Sequence, residues 1–143
     1  MGIEEYRKEV YALIEEDAKA TESSLSDAFL DYSLSCLYDA EEIPAPTRIH
    51  MEDCRGTNQR LMKIDGFSVD ETDRSLLLFI CDFDGDGDNA TLTMSRIDEL
   101  YWRVFYYLDE ACGERIDHYL SPDSDAYKVA RMIRRGMDAA LQI

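Results

Sequence analysis

Residues 60–83, RLMKIDGFSVDETDRSLLLFICDF, decide the fold. Residues 60–70 alternate loosely between apolar and polar side chains. Residues 75–83, SLLLFICDF, are a dense apolar run of strand length, and the polar ETDR of 71–74 lies between the two. Two strand-like runs around a short polar turn predict an antiparallel hairpin. The second run is apolar on both faces, which predicts a central strand. A third short strand, Ala90-Thr91-Leu92-Thr93-Met94, is expected to return after the acidic segment DFDGDGD of residues 82–88. Such a sheet needs helices to cover it.

Working outward, residues 3–19 carry a helical stripe of Tyr6, Val10, Leu13 and Ile14. A second helix is expected after Ser24, whose side chain can cap it, with Asp27 completing a capping box. Leu25, Ala28, Phe29, Tyr32 and Cys36 recur along it at helical spacing. Pro44 and Pro46 then stop helical structure. Residues 47–59 read as a polar connector with a short strand around Arg48–Met51 and a turn at Arg55-Gly56-Thr57-Asn58.

Beyond the hairpin, Ser95 and Asp98 form a second capping box, and residues 96–112 form the clearest helix. Its stripe is Ile97, Leu100, Tyr101, Val104, Phe105, Leu108 and Ala111, with Gly113 as its C-terminal cap. That stripe is expected to be core, and Phe105→Ala to cost about 3–5 kcal/mol. Ser121-Pro122 opens a last helix, striped by Ala126, Val129, Ala130, Ile133 and Met137, with Lys128, Arg131, Arg134 and Arg135 beside the stripe. The fold class is therefore α+β and sandwich-like: a short mixed or antiparallel sheet of three or more strands flanked by four helices. Residues 1–143 read as one domain, the N-terminal part of a longer protein.

Composition limits function. The chain has 31 acidic and 15 basic residues and a net charge of -16. That charge repels phosphate backbones at long range and disfavours direct nucleic-acid binding by this domain alone, as well as binding to anionic membranes. No apolar leader opens the chain and no stretch reaches bilayer length, so it reads as cytoplasmic. The four cysteines, Cys36, Cys54, Cys81 and Cys112, form no CxxC pair, and His50 and His118 stand far from a compact ligand spacing. They read as scattered reduced thiols; Cys36, Cys81 and Cys112 lie in apolar segments, where a thiol behaves as a small hydrophobe.

The chemistry-bearing candidates centre on the hairpin. Sixteen residues separate Asp65 from Asp82. A turn near 71–73 brings Asp65 opposite Phe79 or Ile80, with Asp82 just beyond. Asp65 and Asp82 are the candidate metal ligands, for a Mg²⁺ that takes oxygen donors. With Asp84 and Lys63 they make up the candidate catalytic set. Nucleases of the restriction-endonuclease type place one acid on a strand and Asp/Glu-x-Lys on the next, where the metal holds phosphate and activates water. Here Asp84 stands at the lysine position, Lys63 is a stand-in on the preceding strand, and Asp27 or Asp31 is a candidate helix-borne acid. Asp82, Asp84, Asp86 and Gly87 also match the opening of a calcium loop, but Asn89 and Thr93 stand where an apolar residue and a glutamate are required. Trp102 and Tyr106, four apart on the flank of their helix, are candidate interface anchors.

Ile64-Asp65-Gly66-Phe67, Asp70-Glu71, Leu77–Phe83 and Leu92-Thr93, taken in order, resemble the N-terminal region of the abortive-infection phage-resistance (AIPR) proteins. The resemblance implies a bacterial, cytoplasmic phage-defence protein with a restriction-endonuclease-like core, whose longer C-terminal portion lies outside this sequence. Without the lysine, that core is expected to be degenerate. Three functions are then in contention: first a regulatory or partner-binding domain, next a Mg²⁺-dependent phosphodiesterase using Asp65, Asp82 and Asp84, and third, on the charge alone, an acidic inhibitor or nucleic-acid mimic. The first needs no cofactor, and its partner is protein, either the protein's own C-terminal region or a second copy.

Overall fold

The computed structural model describes residues 2–83, 91–113 and 115–138. The chain divides into two compact units, one drawn from Met1–Glu42 and Asp82–Ala90, the other from Ile43–Cys81 and Thr91–Ile143. Among the described residues the elements are four α-helices, a three-stranded antiparallel sheet and a two-stranded ribbon, so the fold class is mixed α+β.

The first unit is a helical hairpin of α1 (Ile3–Thr21) and α2 (Leu25–Asp39). Glu22, with φ 53°, ends α1 in the left-handed conformation, and the Ser23 amide returns to the Ala18 carbonyl. Ser24 then caps α2 by accepting a hydrogen bond from the Asp27 amide at 3.1 Å, as its place in the sequence predicts. Ile14, Ala18 and Ala28 are buried, with Val10, Leu25, Phe29 and Tyr32 packed around them. Leu13 and Tyr6 are exposed despite lying on the apolar stripe, and so is Cys36, which does not serve as a buried hydrophobe.

The second unit contains β1 (Pro46–Arg48), β2 (Cys54–Arg55), β3 (Leu61–Met62), β4 (Gly66–Asp70), β5 (Ser75–Phe79), α3 (Met94–Cys112) and α4 (Asp125–Asp138). The hairpin is β4–β5, with Asp70 opposite Ser75 and Gly66 opposite Phe79. Its turn is held by Asp70, whose carboxylate accepts from the Thr72 amide at 2.9 Å, while Arg74 takes φ 59°. The sheet order is β1-β4-β5, so β4 is central and β5 is not. The expectation from the apolar run fails because β1 pairs with β4, and β5 ends at Phe79.

The expected strand over 60–70 is broken. Leu61–Met62 pairs with β2, whereas Gly66–Asp70 joins the larger sheet. Between them Lys63 donates its amide to the Arg103 carbonyl of α3, and Ile64 is wholly buried. Gly66 permits this junction: a Cβ there would stand 2.9 Å from the Thr47 carbonyl oxygen.

Residues 91–93 are not a strand, and Thr93, not Ser95, caps α3 by accepting from the Arg96 amide at 3.2 Å. Helix α4 begins at Asp125, because Ser121–Ser124 closes a turn and Ser124 accepts from the Tyr127 amide. Ala126, Val129, Ala130 and Ile133 are buried as their spacing predicts. They join Ile49, Met51, Met62, Ile64, Leu76, Tyr107, Ala111 and Ile116 in one core.

The stripe of α3 is rotated from its expected orientation. Tyr107 is fully buried and Leu100 and Ala111 are buried, whereas Tyr101, Trp102, Phe105 and Ile97 are exposed, Phe105 by 38%. Seven apolar positions span more of the helix than this core covers, and the Tyr107 side wins because its hydroxyl has a partner inside. That hydroxyl donates to the Ala126 carbonyl at 2.6 Å. No helix among the described residues is long and apolar enough to cross a membrane.

Candidate functional site

Asp65 sits at the foot of the hairpin. Its amide donates to the Phe79 carbonyl at 2.7 Å, the position its sequence separation predicts. Its carboxylate accepts from the Cys81 amide at 2.7 Å through one oxygen and lies 3.4 Å from the Lys63 ammonium through the other. Lys63 is thus brought to Asp65, and the Cys81 bond ties the segment after β5 to the residue before β4. Asp82 belongs to the first unit and is exposed. Asp84, with Asp86, Gly87 and Asn89 of the calcium-like segment, lies outside the described residues. Among the described residues no three Asp, Glu, His or Cys side chains converge as a metal site. Both Asp65 carboxylate oxygens thus have partners within the chain, the Cys81 amide and the Lys63 ammonium. No metal-dependent step follows from this geometry. Asp27 and Asp31, the candidate helix-borne acids, lie on α2 in the first unit.

The aromatic candidates are brought together more fully than their spacing foretells. The Trp102 and Tyr106 rings stack at 5.5 Å, and Trp102 meets Phe105 and Tyr101 edge-on at 5.3 and 5.4 Å. Tyr106 is half-buried, and the Arg60 guanidinium lies 4.4 Å over its ring. The outcome is a continuous aromatic surface, with Tyr101 and Trp102 58% and 46% exposed.

Beside this surface lies a polar cluster that sequence reasoning missed. Glu110 is 1% exposed. Its carboxylate accepts from the Thr57 amide at 2.9 Å and the Arg115 guanidinium at 3.0 Å, with Arg60 3.7 Å away. Asp109 completes the network, 3.1 Å from Arg60 and 3.4 Å from Arg115. Burial pushes the Glu110 carboxyl up, but the Thr57 hydroxyl and amide and the Arg115 guanidinium outweigh it and hold the group below the ordinary carboxylate value. Gly56 makes room, since a Cβ there would stand 3.1 Å from the Glu110 side chain. Only position could have signalled this: Glu110 follows Tyr107 by three, on the buried side of α3. Burial also raises the Cys54 and Cys112 thiols, which favours their protonated form.

Residues 29–143 match the model of the abortive infection phage resistance protein N-terminal domain. The chain belongs to that family. This AIPR N-terminal domain is accordingly a domain of a phage-defence protein, and the match runs from the middle of α2 through the whole second unit. No curated protein and no solved structure matches the chain significantly.

Proposed function

We propose that this AIPR N-terminal domain is a regulatory, partner-binding domain of a bacterial phage-defence protein, built on a degenerate nuclease-like core. The observation that carries the reading is the exposed aromatic surface of Tyr101, Trp102 and Phe105. Exposed contiguous aromatic side chains on a well-ordered helix are the usual anchors of protein interfaces. Trp102 and Tyr106 are the anchors, and the partner is protein, either a second copy or the protein's own C-terminal region. The core is read as degenerate because Asp84 stands where the nuclease pattern has its lysine.

Trp102→Ala is expected to leave the urea midpoint nearly unchanged, because the side chain is 46% exposed, and to weaken association by at least about 2 kcal/mol, the scale of an interface anchor. Sedimentation of the wild type and the variant, extended to the longer phage-defence protein, reads this directly. Unchanged association together with a large fall in midpoint would refute the anchor role.

A Mg²⁺-dependent phosphodiesterase built on Asp65, Asp82 and Asp84 makes the opposite demand on the hairpin. Titration with Mn²⁺ is expected to leave the Asp65 amide unbroadened, because Lys63 holds that carboxylate. Selective broadening at Asp65 and Asp82 together would replace the partner-binding reading with the enzymatic one.

A further inference from the structure

The second unit carries a groove of about 340 Å³ between the sheet and α4. Ile49, Phe67, Val129 and Met132 give it an apolar floor. Ile49 and Val129 are buried members of the core, so the floor is rigid. Arg48 from β1 and Lys128 and Arg135 from α4 line it as well, against a single acid, Asp125. Asp125, Lys128, Met132 and Arg135 recur three and four apart, so one face of α4 supplies most of the wall.

The sign of this lining is the informative feature. The chain has about twice as many acids as bases, yet three of the groove's four charged residues are cationic. Of the four basic residues of α4, two line the groove, and Arg135 also donates its Nε to the Arg131 carbonyl one turn back at 3.4 Å. Arg134 donates to the Cys112 carbonyl at the end of α3, at 2.9 Å, while Lys128 and Arg135 line the groove.

Size and field then select the ligand. An anion seated among three cations feels them at short range, whereas the charge of the rest of the chain is screened beyond a Debye length of about 8 Å at physiological salt. A polyanion extending past the groove meets the field of a chain of net charge -16 and is repelled. The volume lies at the lower end of small-molecule sites, about 300–1,000 Å³. The apolar floor, with the partly buried Phe67 ring, suits a flat apolar body. Asp125 at the rim can accept from an amino or hydroxyl group on that body.

We propose that this groove binds a small phosphorylated ligand with a flat apolar body, of the nucleoside monophosphate class. The phosphate sits among Arg48, Lys128 and Arg135, and the base lies over Phe67, Val129 and Met132. The site is separate from the aromatic surface of α3, so it stands whether or not that surface is an interface.

The test is an amide-shift titration of the whole chain with adenosine 5′-monophosphate, adenosine, inorganic phosphate, an aryl carboxylate and a single-stranded oligonucleotide at one salt concentration. Saturable shifts are expected at Thr47–Ile49, Phe67 and along one face of α4, with the monophosphate binding more tightly than any other probe. Lys128→Gln and Arg135→Gln, both at exposed positions, are each expected to weaken it about tenfold, the value of a charge-assisted hydrogen bond. Lys8→Gln, which removes a cation from α1, should leave the affinity unchanged. The proposal is overturned if the monophosphate gives no saturable shift at the groove, or if the two groove variants bind like wild type. Tighter binding of the aryl carboxylate or of the oligonucleotide overturns the ligand class.

Discussion

Truncation of Tyr107 to alanine is expected to lower the stability of this domain by about 3–5 kcal/mol, the range for a buried aromatic that leaves a cavity. Tyr107 is fully enclosed by the second unit's core, and its hydroxyl fastens α3 to the first turn of α4 through the Ala126 carbonyl. Burial raises its phenol far above the ordinary value, so the hydroxyl remains a donor at any ordinary pH. Tyr107→Phe isolates the hydrogen bond and should cost about 1 kcal/mol. Phe105→Ala, two residues earlier, should cost far less than Tyr107→Ala, because 38% of that residue is already in water. Urea midpoints of the three variants give the comparison. A larger fall for Phe105→Ala than for Tyr107→Ala would mean that α3 presents its sequence stripe to the core after all.

Replacement of Glu110 by alanine is the second large effect, expected at about 2–4 kcal/mol. The loss has two parts: the Thr57 amide is left without its acceptor, and Arg60 and Arg115 lose the buried anion that orders them. Because both arginines retain access to solvent, the cost stays below that of stranding a charge in a closed core. The same group gives a pH dependence of definite sign. Its folded carboxyl titrates below the unfolded one, so the folded state binds fewer protons between the two values. The stabilisation is therefore complete above the ordinary carboxylate range and is lost as pH falls through the folded value. Glu110→Gln should be less stable than wild type at neutral pH, with the gap closing on acidification. A gap that widens as pH falls would show that the network does not depend on the ionised form.

The hairpin acids illustrate how far a site can be read from a chain. The turn expected near 71–73 correctly brings Asp65 to the Phe79–Ile80 end of the partner strand, where its amide donates to the Phe79 carbonyl, because strand pairing is periodic and a turn fixes its register. The spacing says nothing about which oxygen is already occupied. That depends on the Cys81 amide and the Lys63 side chain, whose positions are set by where β5 ends and where the strand before β4 breaks. Similarly, Trp102 and Tyr106 are legible as a pair because i,i+4 neighbours share a helix face. The Arg60 guanidinium over Tyr106 is not legible, since it arrives from a ribbon more than forty residues away.

Local patterns determined the element types. Proline placement, the Ser24 cap and helical spacing identified the helices, two strand-like runs around the polar residues 71–74 identified the hairpin, and short ordered motifs identified the family. Each is a preference of neighbouring residues for one backbone geometry, so it can be read without knowing what lies across the core. Which face of α3 is buried, which strand is central, how Glu110 is neutralised and which basic residues line the α4 groove were decided only by tertiary structure. An apolar arc wider than the available core can be buried in more than one rotation, and the choice falls to partners distant in sequence. For α3 that partner is the Ala126 carbonyl, which the Tyr107 hydroxyl can satisfy and the Phe105 ring cannot.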